Sequence, residues 1–122
     1  MNGVNLSKAT ELAGNWAAVW NTGDIEKILD LYADDVRFVS PLAGKFGPTI
    51  LNSRSELRTY FSAALEANPN LHFVVEEVFP GEAGIAMIVA NERGQLICET
   101  VFYDEVGKIR ECVVFRDEGT NS

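Results

Sequence analysis

Histidine occurs once in this sequence, at position 72, and cysteine only twice, at positions 98 and 112. That is too few imidazoles and thiols for a protein-built zinc site, and no Ser–His or Cys–His arrangement for nucleophilic catalysis is visible. There is no glycine-rich phosphate loop, so no cofactor and no metal are expected. Basic residues are scarce as well: 10 Lys and Arg face 18 Asp and Glu, for a formal net charge of −8. This balance excludes the clustered positive charge of a nucleic-acid-binding domain, opposes attraction to anionic membranes and disfavours acidic substrates. No apolar run approaches the roughly 20 residues that cross a bilayer. Met1 to Leu6 lack the basic flank and apolar core of a signal peptide. The expectation is a cytoplasmic protein with neither membrane nor nucleic acid as partner.

Apolar residues are plentiful, at 47% of 122 residues, with 23% charged, the composition of one globular domain over 1–122 with an ordered core of about 7–116. With Ser7 as N-cap, Ala9, Leu12, Ala13, Trp16, Val19 and Trp20 recur at helical spacing. Asn21-Thr22-Gly23 ends that helix, and Asp24 caps a second carrying Ile25, Ile28, Leu29 and Tyr32 on one face. Asp34-Asp35 break the pattern, and residues 36–42 read as a strand with Val36, Phe38 and Ser40 on one side. Residues 43–52 read as a loop. Ser53 and Glu56 form a capping box before a third helix with Leu57, Tyr60 and Phe61 on its stripe. Four segments rich in β-branched and aromatic residues follow, at 71–79, 84–91, 95–103 and 108–116. The fold class is α+β: a curved, mostly antiparallel sheet packed by three helices from the first half of the chain.

Hairpin parity places the side chains. A four-residue turn over 104–107 makes opposed residues sum to an odd number, so Glu99 shares a face with Cys112, Ile97, Val101 and Val114. A two-residue closure near Glu92-Arg93-Gly94 adds Ala86, Ile88 and Ala90 to that face. Cys98 and Cys112 then point to opposite sides, against a disulfide. Glu99 becomes one carboxyl on an apolar face, where desolvation raises its pKa and makes it a candidate acid. Arg110 and Arg116 fall on the same face, near its two ends. His72 reads as a surface residue at a strand start.

Trp16 to Asp24, Leu31-Tyr32-Ala33-Asp34-Asp35-Val36, Phe38-Val39-Ser40-Pro41 and Tyr103 to Ile109 together resemble the nuclear transport factor 2-like superfamily, in its SnoaL-like polyketide cyclase and ketosteroid isomerase branch. The resemblance implies a cone of sheet around an apolar cavity, and usually a homodimer. In the ketosteroid isomerases a first-helix tyrosine and a late-strand acid hold an oxyanion, and an aspartate near the end of the first strand is the base. Aligned through the quoted motifs, these positions fall on Trp16, Glu99 and Ser40. Trp16 donates through its indole N–H but is no phenol, and Ser40 is no carbon base. Steroid isomerisation is thus not expected. What the resemblance leaves is a cavity for a small apolar molecule, lined by Trp16, Trp20, Phe38, Ile88, Ile97, Val101, Cys112 and Val114. Glu99 is its candidate acid and Ser40 a weaker catalytic candidate; a proton-transfer enzyme and a non-catalytic dimeric scaffold are the alternatives.

Overall fold

The computed structural model describes residues 3–117. In chain order it contains α1 (Leu6–Trp20), α2 (Ile25–Leu29), β1 (Tyr32–Val39), a 3-10 turn (Pro41–Lys45), β2 (Ile50–Leu51), α3 (Arg54–Ala67), β3 (Val74–Pro80), β4 (Gly84–Ala90), β5 (Leu96–Tyr103) and β6 (Ile109–Arg116). The six strands form one curved, unclosed sheet in the order β2-β1-β6-β5-β4-β3, in which only β1 and β6 pair in parallel. No helix among the described residues is long and apolar enough to cross a membrane.

Local chemistry explains most boundaries. α1 begins earlier than Ser7 because Asn5 caps it, its Oδ1 accepting from Lys8 N at 2.8 Å. The chain just before is tied to the β3–β4 turn by Gly3 N to Glu82 O and Val4 N to Gly81 O, at 2.7 and 2.9 Å, so the helix has a fixed start. Asn21 ends α1 and clamps the segment before β3. Its Nδ2 donates to Phe73 O at 2.9 Å and its Oδ1 accepts from Phe73 N at 2.8 Å. Asp24 caps α2 as expected, and Ser53 with Glu56 closes the start of α3.

The first strand departs from expectation. Tyr32 is not the last residue of a helical stripe but the first residue of β1. Asp34-Asp35 do not end an element; they lie where the β1–β6 register slips, between Tyr32 opposite Ile109 and Arg37 opposite Glu111. Two exposed carboxylates fit a stretch that bulges away from the ladder. The strand then ends at Val39, and the expected loop over 43–52 holds both part of the 3-10 turn and the short β2.

The meander turns hold a second correction. Asn91-Glu-Arg-Gly-Gln and Asp104-Glu-Val-Gly-Lys are the same device, a three-residue loop closed at Asn91–Gln95 and Asp104–Lys108. In each, the first side chain accepts from two backbone N–H groups ahead of it, and the glycine, Gly94 or Gly107, has a positive φ of 78° or 87°. A three-residue loop gives an even sum, so β4 presents Ile85, Met87 and Val89 inward, and Ile88 lies on the outer face opposite Cys98. Neither the two-residue closure nor the four-residue turn exists. Between β5 and β6 a one-residue bulge at Arg110 restores the odd sum, from Tyr103 opposite Ile109 to Phe102 opposite Glu111. Glu99 therefore faces inward, with Val114 opposite it and Cys112 diagonal. The bulge turns Arg110 outward, over the Phe102 ring at 5.8 Å.

Both turn glycines are in the left-handed region, which costs a residue with a Cβ about 1–2 kcal/mol. Gly94→Ala and Gly107→Ala each lower stability by about 1 kcal/mol, read as a shift of the urea midpoint with unchanged slope.

Candidate functional site

α1 packs mainly over β3 and α3 over β1. The central strands β5 and β6 are left without a helix lying directly on them, and a cavity of about 300 Å³ opens there. Its wall is a continuous relay of rings. Trp16 meets Phe73 at 5.1 Å, Trp20 meets Phe61 at 4.7 Å, and Phe61, Tyr32, Phe38 and Tyr60 follow at centroid distances of 5.4 to 6.4 Å. Edge-on and tilted pairs of this kind hold ring orientation as well as burying area.

Of the residues expected at a site, Trp16, Trp20, Phe38, Ser40, Ile97, Glu99 and Val114 line this cavity. Val101 and Cys112 are fully buried on the same face but pack beneath the cavity rather than in its wall. Ile88 is excluded by the β4 register. Arg116 lies at the mouth, whereas His72 is exposed and outside the cavity.

Polar groups gather at the floor. Glu99 is 6% exposed, and Cys112 donates its S–H to Glu99 Oε1 at 3.2 Å. Burial disfavours the carboxylate and pushes the Glu99 pKa up to about 7, with the thiol contact pulling slightly the other way. The same burial and the adjacent Glu99 hold the Cys112 thiol in its protonated form, far above the usual thiol range. Cys112 is thus a hydrogen-bond donor to Glu99 and no nucleophile.

Two tyrosines escaped sequence reasoning. Trp20 Nε1 donates to the Tyr32 hydroxyl at 3.3 Å, and burial raises the Tyr32 pKa well above that of a free phenol. Tyr60 projects from α3 with its hydroxyl beside Ser40, and burial lifts its pKa to about 12. Both are neutral across the physiological range. Tyr60 was visible as a stripe residue beside Phe61, but nothing local distinguishes a ring that packs from one that lines a void. Tyr32 was hidden by its assignment to a helix end. The Trp16 indole N–H lies near the Tyr32 hydroxyl without hydrogen-bond geometry, and is a buried donor with no partner among the described residues. Ser40, 1% exposed, caps the 3-10 turn by accepting from Leu42 N at 3.1 Å. No carboxylate stands in its place.

The raised carboxyl pKa has a consequence for stability. The folded chain keeps the Glu99 proton up to about pH 7, whereas the unfolded chain releases it near the ordinary value of 4.5. Folding therefore binds a proton between these values, and stability falls as pH rises through that window and levels off above it. The full effect is about 3 kcal/mol, of which about 2 kcal/mol falls between about pH 5.5 and 8. Urea unfolding of wild type and Glu99→Gln across that range checks it: the difference in slope carries this term, and parallel curves refute a shifted Glu99.

The SnoaL-like domain family matches residues 13–116. No curated protein matches the chain. Among solved structures, a SnoaL-like protein of unknown function from Burkholderia thailandensis superposes with a TM-score of 0.85 at 23% identity, covering 93% of this chain and 98% of that one. TerC, crystallised with polyporic acid, gives 0.74 at 16% identity, covering 92% and 93%. SalBIII, an epoxide hydrolase/cyclase-like enzyme with a role in pyran ring formation in the polyether salinomycin, gives 0.73 at 17%, covering 93% of each chain. At these identities the likeness is one of fold. The match across most of its length makes the chain a member of the SnoaL-like domain family, built on the nuclear transport factor 2-like fold.

Proposed function

We propose that the protein binds a small, largely apolar molecule in the cavity and takes one of its neutral oxygen atoms at the floor, between Glu99 and the Trp16 N–H. The observation that carries this reading is that one cavity is lined by a buried indole donor without a hydrogen-bond partner and by a buried carboxyl that holds its proton near neutrality. A desolvated donor gains from any acceptor that arrives, and an aromatic wall supplies the rest of the affinity. A volume of about 300 Å³ sits at the lower end of ligand pockets, which suits a molecule of two or three fused rings.

A second reading is favoured by the Glu99 pKa of about 7. A carboxyl half-protonated at neutral pH both gives and accepts protons, which suits an isomerase or cyclase in which Glu99 protonates or hydrogen-bonds an oxygen as charge develops on it. Ser40 supplies no base, so in this reading ionised Glu99 takes the carbon proton first and, now protonated, gives it to the oxygen on which the charge has developed.

The outer sheet face supports a homodimer. Phe79, Leu96 and Phe115 are exposed there, and Ile88, Cys98 and Val113 are half-buried beside them. A self-complementary pairing of two such faces removes this area from water.

2-Naphthol, followed by its fluorescence, is the test of binding. It binds wild type, and Glu99→Leu weakens it by about three- to tenfold, the net worth of one buried hydrogen bond, while 2-methylnaphthalene binds both proteins alike. Equal 2-naphthol affinity for the two proteins removes Glu99 from recognition. For the second reading, solvent deuterium exchanges into the α-positions of 2-tetralone faster with wild type than with Glu99→Gln; equal rates leave a binder without chemistry. Sedimentation shows a dimer that Phe115→Arg dissociates, and a wild-type monomer sinks the pairing.

A further inference from the structure

We infer that the molecule taken by this cavity is an organic anion, with a carboxylate or equivalent group at the end remote from Glu99, seated at the mouth against Lys45 and Arg93. The inference rests on the cavity being a binding site, and adds which class of molecule it selects and which way round it lies.

The charge of the mouth runs against that of the chain. Across the sequence acidic residues outnumber basic ones by 18 to 10, but three cations, Lys45, Arg93 and Arg116, and two carboxylates, Glu92 and Asp117, line this opening. They arrive from three separate elements: Lys45 ends the 3-10 turn, Arg93 is in the β4–β5 loop, and Arg116 ends β6. The Lys45 ammonium makes no ion pair or hydrogen bond among the described residues. Arg93 has one loose contact, its Nε 3.7 Å from the neighbouring Glu92 carboxylate. By contrast Arg54 and Arg58, away from the mouth, are bound to Asp34 and Glu26. Charges at the rim act on a ligand group beside them, while acidic residues more than about 8 Å away are screened by salt. The net charge of the chain therefore does not decide what this opening accepts.

The floor fixes the orientation. An anion set beside Glu99 is desolvated among Tyr32, Tyr60 and Ser40, next to a carboxyl that already resists ionisation. A neutral oxygen fits there; the ionised group has to stay where water and cations are. The ring-lined wall, from Trp20 to Phe46, spans the distance between the two ends.

6-Hydroxy-2-naphthoate and its methyl ester separate the possibilities, with 2-naphthol as reference. At about 0.15 M ionic strength, where the Debye length is about 8 Å, the carboxylate binds wild type about tenfold more tightly than the ester, and salt raised to about 1 M erodes the advantage. Lys45→Ala combined with Arg93→Ala removes the preference for the acid over the ester. Lys8→Glu, which changes the net charge equally but lies on α1, retains it. Acid and ester binding alike to wild type, or the acid binding more weakly, overturns the inference while leaving the cavity a binding site. So does an equal loss of preference in Lys8→Glu, which assigns the effect to net charge. If 2-naphthol and both naphthoates fail to bind wild type, the cavity reading itself falls and this inference with it.

Discussion

A single extra residue in β6 decides what the interior of this protein contains. The two turns of the meander are alike in chemistry, each with an Asn or Asp accepting from the loop and a glycine in left-handed conformation. Left to themselves they give β5 and β6 an even register, which sets Glu99 beside Val113 rather than Val114. The bulge at Arg110 shifts the pairing by one. Because side chains alternate with a period of two, that shift moves Cys112 and Val114 inward and Val113 and Phe115 outward. The Cys112–Glu99 contact, the apolar outer face and the position of Arg110 all follow from it.

With the register fixed, the aromatic layer determines the electrostatics. Trp16, Trp20, Phe61 and Phe73 hold the helices above the sheet over β3 and β1, so the space above β5 and β6 stays unfilled. Asn21 fixes that spacing at one end by exchanging two hydrogen bonds with Phe73. Glu99 thus meets rings and a thiol, with no cation paired to it among the described residues. Its proton affinity rises because burial disfavours the anion by more than the Cys112 hydrogen bond stabilises it, rather than through a neighbouring negative charge. Cost and proposed function have one origin here: the carboxyl whose raised pKa lowers stability as pH rises from 4.5 to about 7 is the one proposed to donate to a bound oxygen.

Floor and mouth have opposite characters, and both arise from where elements end. The floor collects polar side chains from strand interiors and helix faces, where burial keeps the phenols neutral and holds back ionisation of the carboxyl to about pH 7. The mouth is assembled from a strand end, a hairpin loop and a 3-10 turn, where long cationic side chains stay hydrated. On the proposed reading, such an arrangement selects a ligand by the polarity of its two ends as well as by its size.

Much of this was legible in the sequence because it is locally encoded. Apolar spacing marked α1 and α3, Asp24 and Ser53 marked helix starts, and the meander strands fell within a few residues of their observed bounds. Motifs from Trp16 to Asp24 and around Tyr103 to Ile109 pointed to the fold, and Glu99 to the interior. Parity there reached the right face from a wrong turn length, since a three-residue loop plus a bulge equals a four-residue loop in its effect. At β4 no bulge compensated, and Ile88 came out on the wrong side. Only the tertiary structure decided these points. A bulge is a mismatch between two strands, so no window along either one contains it. Tyr32, Tyr60 and the cations of the mouth likewise became a site only when α3, β1 and the hairpin loop closed around the same space.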